Sequence, residues 1–187
     1  MRRSKREAAE TRQRIVKAAA AKFRQNGIDG TGLSDLMAAA GLTHGGFYRH
    51  FDSKDQIVEE ACAAASVSAV ATFFSNKSPQ NGLRARVAKY LSAAHRDDPS
   101  AGCPLVALGS EIARSDEKTR AVATRAFLDL VDIIAAESGR NRPDAARRRA
   151  LVVASTMIGA LMMSRIVTDP QLSDSILRQS QKHLTDG

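Results

Sequence analysis

A chain of 187 residues has room for one domain, or for a small module joined to a larger one, and with 43% hydrophobic residues it can bury a core. Its 32 alanines, five prolines and absent tryptophan favour helix over strand, and aromatics at 4% leave few platforms for stacking single-stranded nucleic acid. The formal charge of +8 points to anionic partners and is concentrated at the front, with net +5 in residues 1–55 against +3 in the remaining 132.

Arg2 to Arg6 form a basic arm, which reads either as a solvated tail or as a segment that follows DNA phosphates or a minor groove. Glu7 to Asn26 is predicted as an amphipathic helix, with Ile15, Ala19 and Phe23 recurring at spacing four and Gly27 supplying a left-handed stop. A turn-rich connector over 28–32 leads to a short helix, Leu33–Ala40, whose Leu33, Leu36, Met37 and Ala40 make one apolar stripe. Gly41 ends it, Leu42 plugs the core behind it, and the Thr43 hydroxyl is placed to cap a second short helix, His44 to Phe51. Ser53 and Gln56 then form a capping box that opens a long helix to about Phe74.

Two short helices joined by a tight glycine-containing turn make a helix-turn-helix, whose second helix is free to enter a major groove. On that helix His44, Gly45, Gly46, Tyr48, Arg49 and His50 are exposed donors, acceptors or missing side chains. Each glycine weakens a helix by about 1 kcal/mol relative to alanine, a cost that makes sense where another surface approaches closely; the bland reading is a frayed loop. Lys54 in the first turn of the next helix opposes the helix dipole unless an anion sits there, in which case N–H groups, dipole and ammonium all face a phosphate. The bland reading is a solvated lysine.

The run from Gly30 to Lys54, with its Ala-Gly-Leu-Thr turn (40–43), its Phe-Tyr-x-His-Phe helix (47–51) and the following Ser53-Lys54, resembles the DNA-binding domain of TetR-family transcriptional regulators over roughly residues 7–60. The resemblance implies an all-α chain, a helix-turn-helix domain over 1–53 followed by a helical ligand-binding and dimerisation domain over 54–187. It implies a homodimer on double-stranded DNA, usually a repressor released from a palindromic operator by a small apolar or electrophilic inducer. It also places Ser34, Thr43, His44, Gly45, Gly46, Tyr48, Arg49 and His50 at the DNA surface and Lys54 on backbone phosphate. Tyr48 and His50 are suited to phosphates, whereas His44 and Arg49 can read base edges, arginine matching the two acceptors of guanine. Gly32 and Gly46 stand where larger or hydroxyl-bearing residues are common in the family.

Behind the lever helix, breaks are predicted at 75–82, 97–102 and 139–143, with helices at Leu83–Arg96, Cys103–Arg114, Ser115 to about Ser138, Asp144–Val167 and Pro170–His183. Ala150–Met163 is apolar nearly all round, which means burial on every side. Core packing in one chain meets that need. So does a four-helix interface with a second copy through the 119–137 and 144–167 helices, where Ser155 and Gly159 permit close approach. Candidates to line an inducer cavity are Phe73, Phe74, Tyr90, His95, Cys103, Leu105, Leu108, Glu111, Phe127, Met157 and Leu161; the bland reading, that most of them are plain core, is the stronger for any one of them.

Cys103 sits at a predicted helix start, where the dipole and free N–H groups lower a thiol pKa and make it a redox candidate. Gly-Cys-Pro-Leu at 102–105 resembles a branch of the family in which some members sense reactive compounds through such a cysteine. The other reading is a small buried residue beside a pocket, and Cys62 reads as packing. Two cysteines exclude a disulfide framework and a four-thiolate zinc site. Neither a metal-ligand spacing among the four histidines nor a nucleophile elbow or phosphate loop is present, so no enzyme, cofactor or metal site is expected. The first residues lack the apolar run of a signal peptide and Ala150–Met163 is short for a membrane span, which suggests a cytoplasmic protein with no membrane partner. The alternative to a DNA-binding regulator is a basic helical adaptor for an anionic protein or membrane surface.

Overall fold

The computed structural model describes residues 5–74, 82–137 and 143–186, and within them the chain is helical, with nine α-helices and one 3-10 helix. Arg2 to Ser4 of the basic arm, and most of the breaks expected at 75–82 and 139–143, lie outside the described residues. Helix α1 (Lys5–Asn26) buries Ile15, Ala19, Ala20 and Phe23 along one face. It stops at Gly27, whose φ of 81° places it in the left-handed region that glycine enters without strain. Thr31, fully buried, donates its hydroxyl to the Gly27 carbonyl at 2.6 Å and folds the connector back.

Helix α2 (Leu33–Ala39) ends in a Schellman motif: Gly41 N–H donates to Ala38 O at 2.9 Å, Leu42 N–H donates to Met37 O at 2.8 Å, and Gly41 has φ 72°. The segment predicted as a helix over 44–51 is a 3-10 helix, His44–Arg49. Two consecutive glycines and a length of six residues give little reason to complete an α-turn, so the i to i+3 bonds prevail, as from His50 N–H to Phe47 O at 2.9 Å. The Thr43 side chain makes no cap bond there, contrary to expectation. Helix α3 (Lys54–Phe74) does begin with Ser53 as cap, its hydroxyl accepting from Gln56 N–H at 3.1 Å. The Gln56 amide oxygen accepts from Asp52 N–H at 2.8 Å, one residue before the partner a capping box would use.

Helix α3 belongs to two cores. Ile57, Val58, Ala61, Cys62 and Ala65 pack with α1, α2 and Phe47 at the front, whereas Ala69, Phe73 and Phe74 join the rear core. The hydrophobic division therefore falls inside α3 rather than at 53/54. Burial pushes the Cys62 thiol up to about 11, in keeping with a packing role.

The helix expected over Leu83–Arg96 is two, α4 (Leu83–Tyr90) and α5 (Ala93–Asp97), because Ser92 turns out of the helix and caps α5 by accepting from His95 N–H at 3.2 Å. Then come α6 (Pro104–Ile112) with its proline in the first turn, α7 (Glu117–Glu137), α8 (Pro143–Ile166) and α9 (Pro170–Asp186). The rear core is built on Tyr90, Val131, Ile134, Val153, Met157, Leu161 and Leu177. In one copy α8 is buried along one side, and Leu151, Val152, Met162, Met163 and Ile166 on its other side are exposed. Helices α3 and α8 are long and apolar enough to cross a membrane by length and composition, and both give a face to these cores.

Candidate nucleic-acid interface and rear cavity

The 3-10 helix is held from below by aromatic packing. Phe47 is fully buried, stacks on Phe51 at 5.4 Å and meets Tyr48 edge-on at 5.2 Å. Tyr48 itself is 68% exposed, so the same packing that buries Phe47 directs the tyrosine hydroxyl outward. Ser34, Thr43, His44, Gly45 and Arg49 are exposed on the same module, and His50 and Lys54 are half-buried at its edge. The two glycines differ. A Cβ at Gly45 would meet nothing within 4 Å, which marks an open surface, whereas one at Gly46 would come 3.3 Å from the Met37 methyl. Gly46 is thus a close approach of the 3-10 helix to α2, and it faces the protein rather than a partner.

Sequence reading missed the group that fixes the end of this helix. Arg12 of α1 forms a two-pronged ion pair with Glu60 of α3, donates from Nε to the His50 carbonyl at 3.2 Å, and lies over the Phe51 ring at 4.5 Å. Residues 48 apart in sequence carry no local signal of pairing. Arg12→Ala is expected to cost about 1.5–3 kcal/mol, because it leaves Glu60 and a backbone carbonyl without their charged donor; urea denaturation measures it.

At the rear, Phe73, Phe74, Tyr90, Cys103 and Leu105 line one cavity. It encloses about 20 Å³, enough for a single water, which needs roughly 10–15 Å³. The Tyr90 hydroxyl is buried there beside the Cys103 sulfur, outside hydrogen-bonding geometry and without a partner. His95 packs on Phe73 at 4.2 Å and on Tyr90 at 4.7 Å. Its Nδ1 lies 2.7 Å from the Tyr90 carbonyl and its Nε2 accepts from Cys103 N–H at 3.0 Å, a pattern that requires the neutral ring with the proton on Nδ1. Desolvation lowers its pKa to about 4. The unfolded chain therefore binds this proton more readily than the folded one between pH 6.5 and about 4, so stability is present above 6.5 and falls as pH drops through that window. The loss is on the order of 3 kcal/mol, and urea midpoints measured against pH should show it, with the slope flattened in His95→Gln.

Six of the proposed cavity residues lie elsewhere. Leu108 packs into the front core with Ile112. Glu111 accepts backbone N–H groups of Ile28 at 2.7 Å and Asp29 at 3.1 Å, so its carboxylate is spent on the connector between α1 and α2. His95 stands behind the wall, holding Tyr90 and Cys103, rather than lining the cavity. Met157 and Leu161 are buried in the rear core away from the cavity lining, and Phe127 packs partly buried against that core. Cys103 is the cap residue of α6 and is buried; desolvation pushes its thiol above the ordinary range despite the nearby N–H groups of Leu105 and Val106. The expectation of a lowered thiol pKa is therefore not met. Among the described residues no cluster of three or more His, Cys, Asp or Glu could hold a metal ion.

Residues 15–61 match the family model for bacterial regulatory proteins of the tetR family, and residues 79–179 match the C-terminal domain of LmrA/YxaF-like transcriptional regulators, over half the chain by itself. The chain belongs to the TetR family. This TetR-family regulator is 28% identical over 176 residues to an uncharacterized HTH-type transcriptional regulator of Mycobacterium tuberculosis, covering 90% of this chain and 91% of the relative. Over 59 residues, 32% of this chain and 28% of the relative, it is 42% identical to the HTH-type transcriptional regulator TtgR of Pseudomonas putida. Among solved structures it resembles a TetR transcriptional regulator from Chloroflexus aurantiacus, with 28% identity, a TM-score of 0.73, and coverage of 96% and 94% of the two chains. Reduced NemR of Escherichia coli shares the fold at 21% identity and a TM-score of 0.70, over 95% and 96% of the chains. As a TetR-family member the chain is a DNA-binding transcriptional regulator, which replaces the adaptor reading.

Proposed function

We propose that this regulator is a homodimeric repressor of a palindromic operator, released when a small, mostly apolar inducer opens the rear cavity. The observation that carries the DNA half is the outward set on the 3-10 helix and the residue before it, Thr43, His44, Gly45, Tyr48 and Arg49, exposed above a fully buried Phe47. Tyr48, His50 and Lys54 hold phosphates and fix register, while His44 and Arg49 reach base edges. Ser34 on α2 adds a backbone contact. Tyr48→Phe and Lys54→Ala are expected to weaken operator binding in gel shifts, about 10-fold or more for the lysine, and Lys54→Ala to make the salt dependence shallower, with the oligomeric state unchanged. Unaltered affinity in both variants overturns this docking.

Helix α6 supplies the link to the cavity. Its first residues, with Cys103 and Leu105, form cavity wall, while its far end holds the front module through Leu108, Ile112 and the Glu111 carboxylate on the connector. A ligand larger than one water has to displace Phe73, Tyr90 or this wall, and a shift of α6 then moves the connector that sets α2 and the 3-10 helix. The unpartnered Tyr90 hydroxyl favours an inducer with one hydrogen-bonding group on an apolar body. Reciprocity requires DNA to weaken inducer binding by the same factor. The solved complex of AibR with isovaleryl coenzyme A and operator DNA is an instance of a protein of this fold holding both kinds of partner. Cys103 acts in this account as wall rather than as a reactive thiol. N-ethylmaleimide should affect operator binding equally in Cys103→Ser and in the parent; a response to the electrophile that disappears in the serine variant would return the sensing role to the thiol.

A further inference from the structure

We propose that the groove between α1 and α3 is a second effector site, which takes an amphiphile with a carboxylate head and an alkyl tail, the head lying at Arg24. The groove is open and encloses about 960 Å³, at the upper end of the range usual for small-molecule sites. Helical spacing makes its two walls: Ala9, Val16 and Ala21 on α1 face Ala64, Val67 and Ala71 on α3. Small side chains on both sides leave the groove unfilled, and Val67 is 72% exposed.

The two ends of the groove differ in charge. One is closed by Arg12 and Glu60, which satisfy each other. The other is closed by Arg24 and the segment at Ser100 and Ala101. Arg24 is 8% exposed, and its Nε and Nη2 both donate to the Ser100 carbonyl, while its Nη1 is buried with no partner. Among the described residues it has no carboxylate in ion-pairing range. Asp98, the acid whose field reaches it, accepts from the Ser100 hydroxyl at 2.6 Å and from Ala101 N–H at 3.3 Å. A buried cation with no countercharge is an unfavourable arrangement that an anion at this end of the groove relieves through its charge. Exposed Lys17 on the same wall adds positive charge, whereas the Arg12–Glu60 end offers a head group nothing. The carboxylate therefore takes the Arg24 end and the tail runs over the alanines. Arg24 also ties α1 of the DNA-binding module to the 98–101 loop of the rear domain, so an anion on it acts on the joint between them.

This site lies outside the rear cavity, and its test needs no DNA, so a failed operator reading leaves it standing. Isothermal titration of the full chain with decanoate, decanol and decylammonium is expected to show saturable binding of decanoate, binding of decanol weaker by roughly tenfold or more, and none of decylammonium. Arg24→Met should erase the preference for acid over alcohol. Because Arg24 also carries packing, Ala64→Leu provides a second check: it fills the groove away from the guanidinium and should abolish decanoate binding while circular dichroism and melting stay near the parent's. Tyr90→Phe, in the rear cavity, should leave decanoate binding unchanged. Equal affinity for acid and alcohol, persistence in Ala64→Leu, or loss in Tyr90→Phe each overturns the proposal. So does sedimentation showing that a second copy of the chain occupies the groove and that Ala64→Leu disperses it.

Discussion

Phe47→Ala is expected to abolish operator binding and to lower stability by about 3–5 kcal/mol, because it empties the buried aromatic position within the 3-10 helix itself. Phe47 is fully buried, stacked on Phe51 and edge-on to Tyr48. A 3-10 segment of six residues with adjacent glycines has almost no intrinsic stability, so its shape is imposed by tertiary packing. Removing the ring leaves Tyr48 and Arg49 on an unsupported strand of chain while α1 and α3 retain most of their mutual contacts. Urea denaturation gives the stability change and gel shift the loss of binding. Phe47→Leu, which keeps most of the volume, should retain part of both. A Phe47→Ala protein of parental stability and affinity would show that the recognition element is held by something other than its own core.

The second large effect is expected from Val152→Glu combined with Met163→Glu. Both residues are exposed on the side of α8 that faces away from its own core, beside Leu151, Met162 and Ile166. The sequence pattern of Ala150–Met163 asks for burial on every side, and a single copy provides it on one. In the proposed homodimer a second copy packed through α7 and α8 supplies the rest, and two carboxylates placed in that interface would be desolvated without partners. Sedimentation should show a monomer with an unchanged helical spectrum. Operator affinity should fall at least 100-fold, because each recognition element then binds without the effective concentration provided by its mate. A variant that remains dimeric places the interface elsewhere.

Much of the front module was legible because its signals are local. Gly27 and Gly41 take the left-handed conformations that their positions after apolar stripes require, and Ser53 caps α3 through its own hydroxyl. Phe47 and Phe51 share a buried face at spacing four, as read. The 3-10 form of residues 44–49 was less legible, since the stripe that marks a helix does not distinguish its pitch over so few residues. At the rear, Ser92 broke a helix that apolar spacing alone continues, because side-chain capping competes with the helix at a single residue. What the sequence could not show was the long-range accounting of polar groups. Glu111 reads as a pocket acid and is instead the acceptor for Ile28 and Asp29, Arg12 finds Glu60, and Arg24 finds only a carbonyl. Cys103 sits at a helix start as expected, yet desolvation outweighs the helix N–H groups and raises its thiol. Burial depth, unlike helix position, is set by neighbours distant in the chain.

The most direct measurement is selection of duplexes from a random pool by the purified full chain, followed by hydroxyl-radical footprinting of the enriched sequence. An inverted repeat is expected, its two half-sites protected on one face of the duplex about one helical turn apart, roughly 34 Å, with the same chain carrying Tyr48→Phe and Lys54→Ala enriching it poorly. Enrichment of no shared sequence, or protection of a single unrepeated site by one copy of the chain, would contradict it.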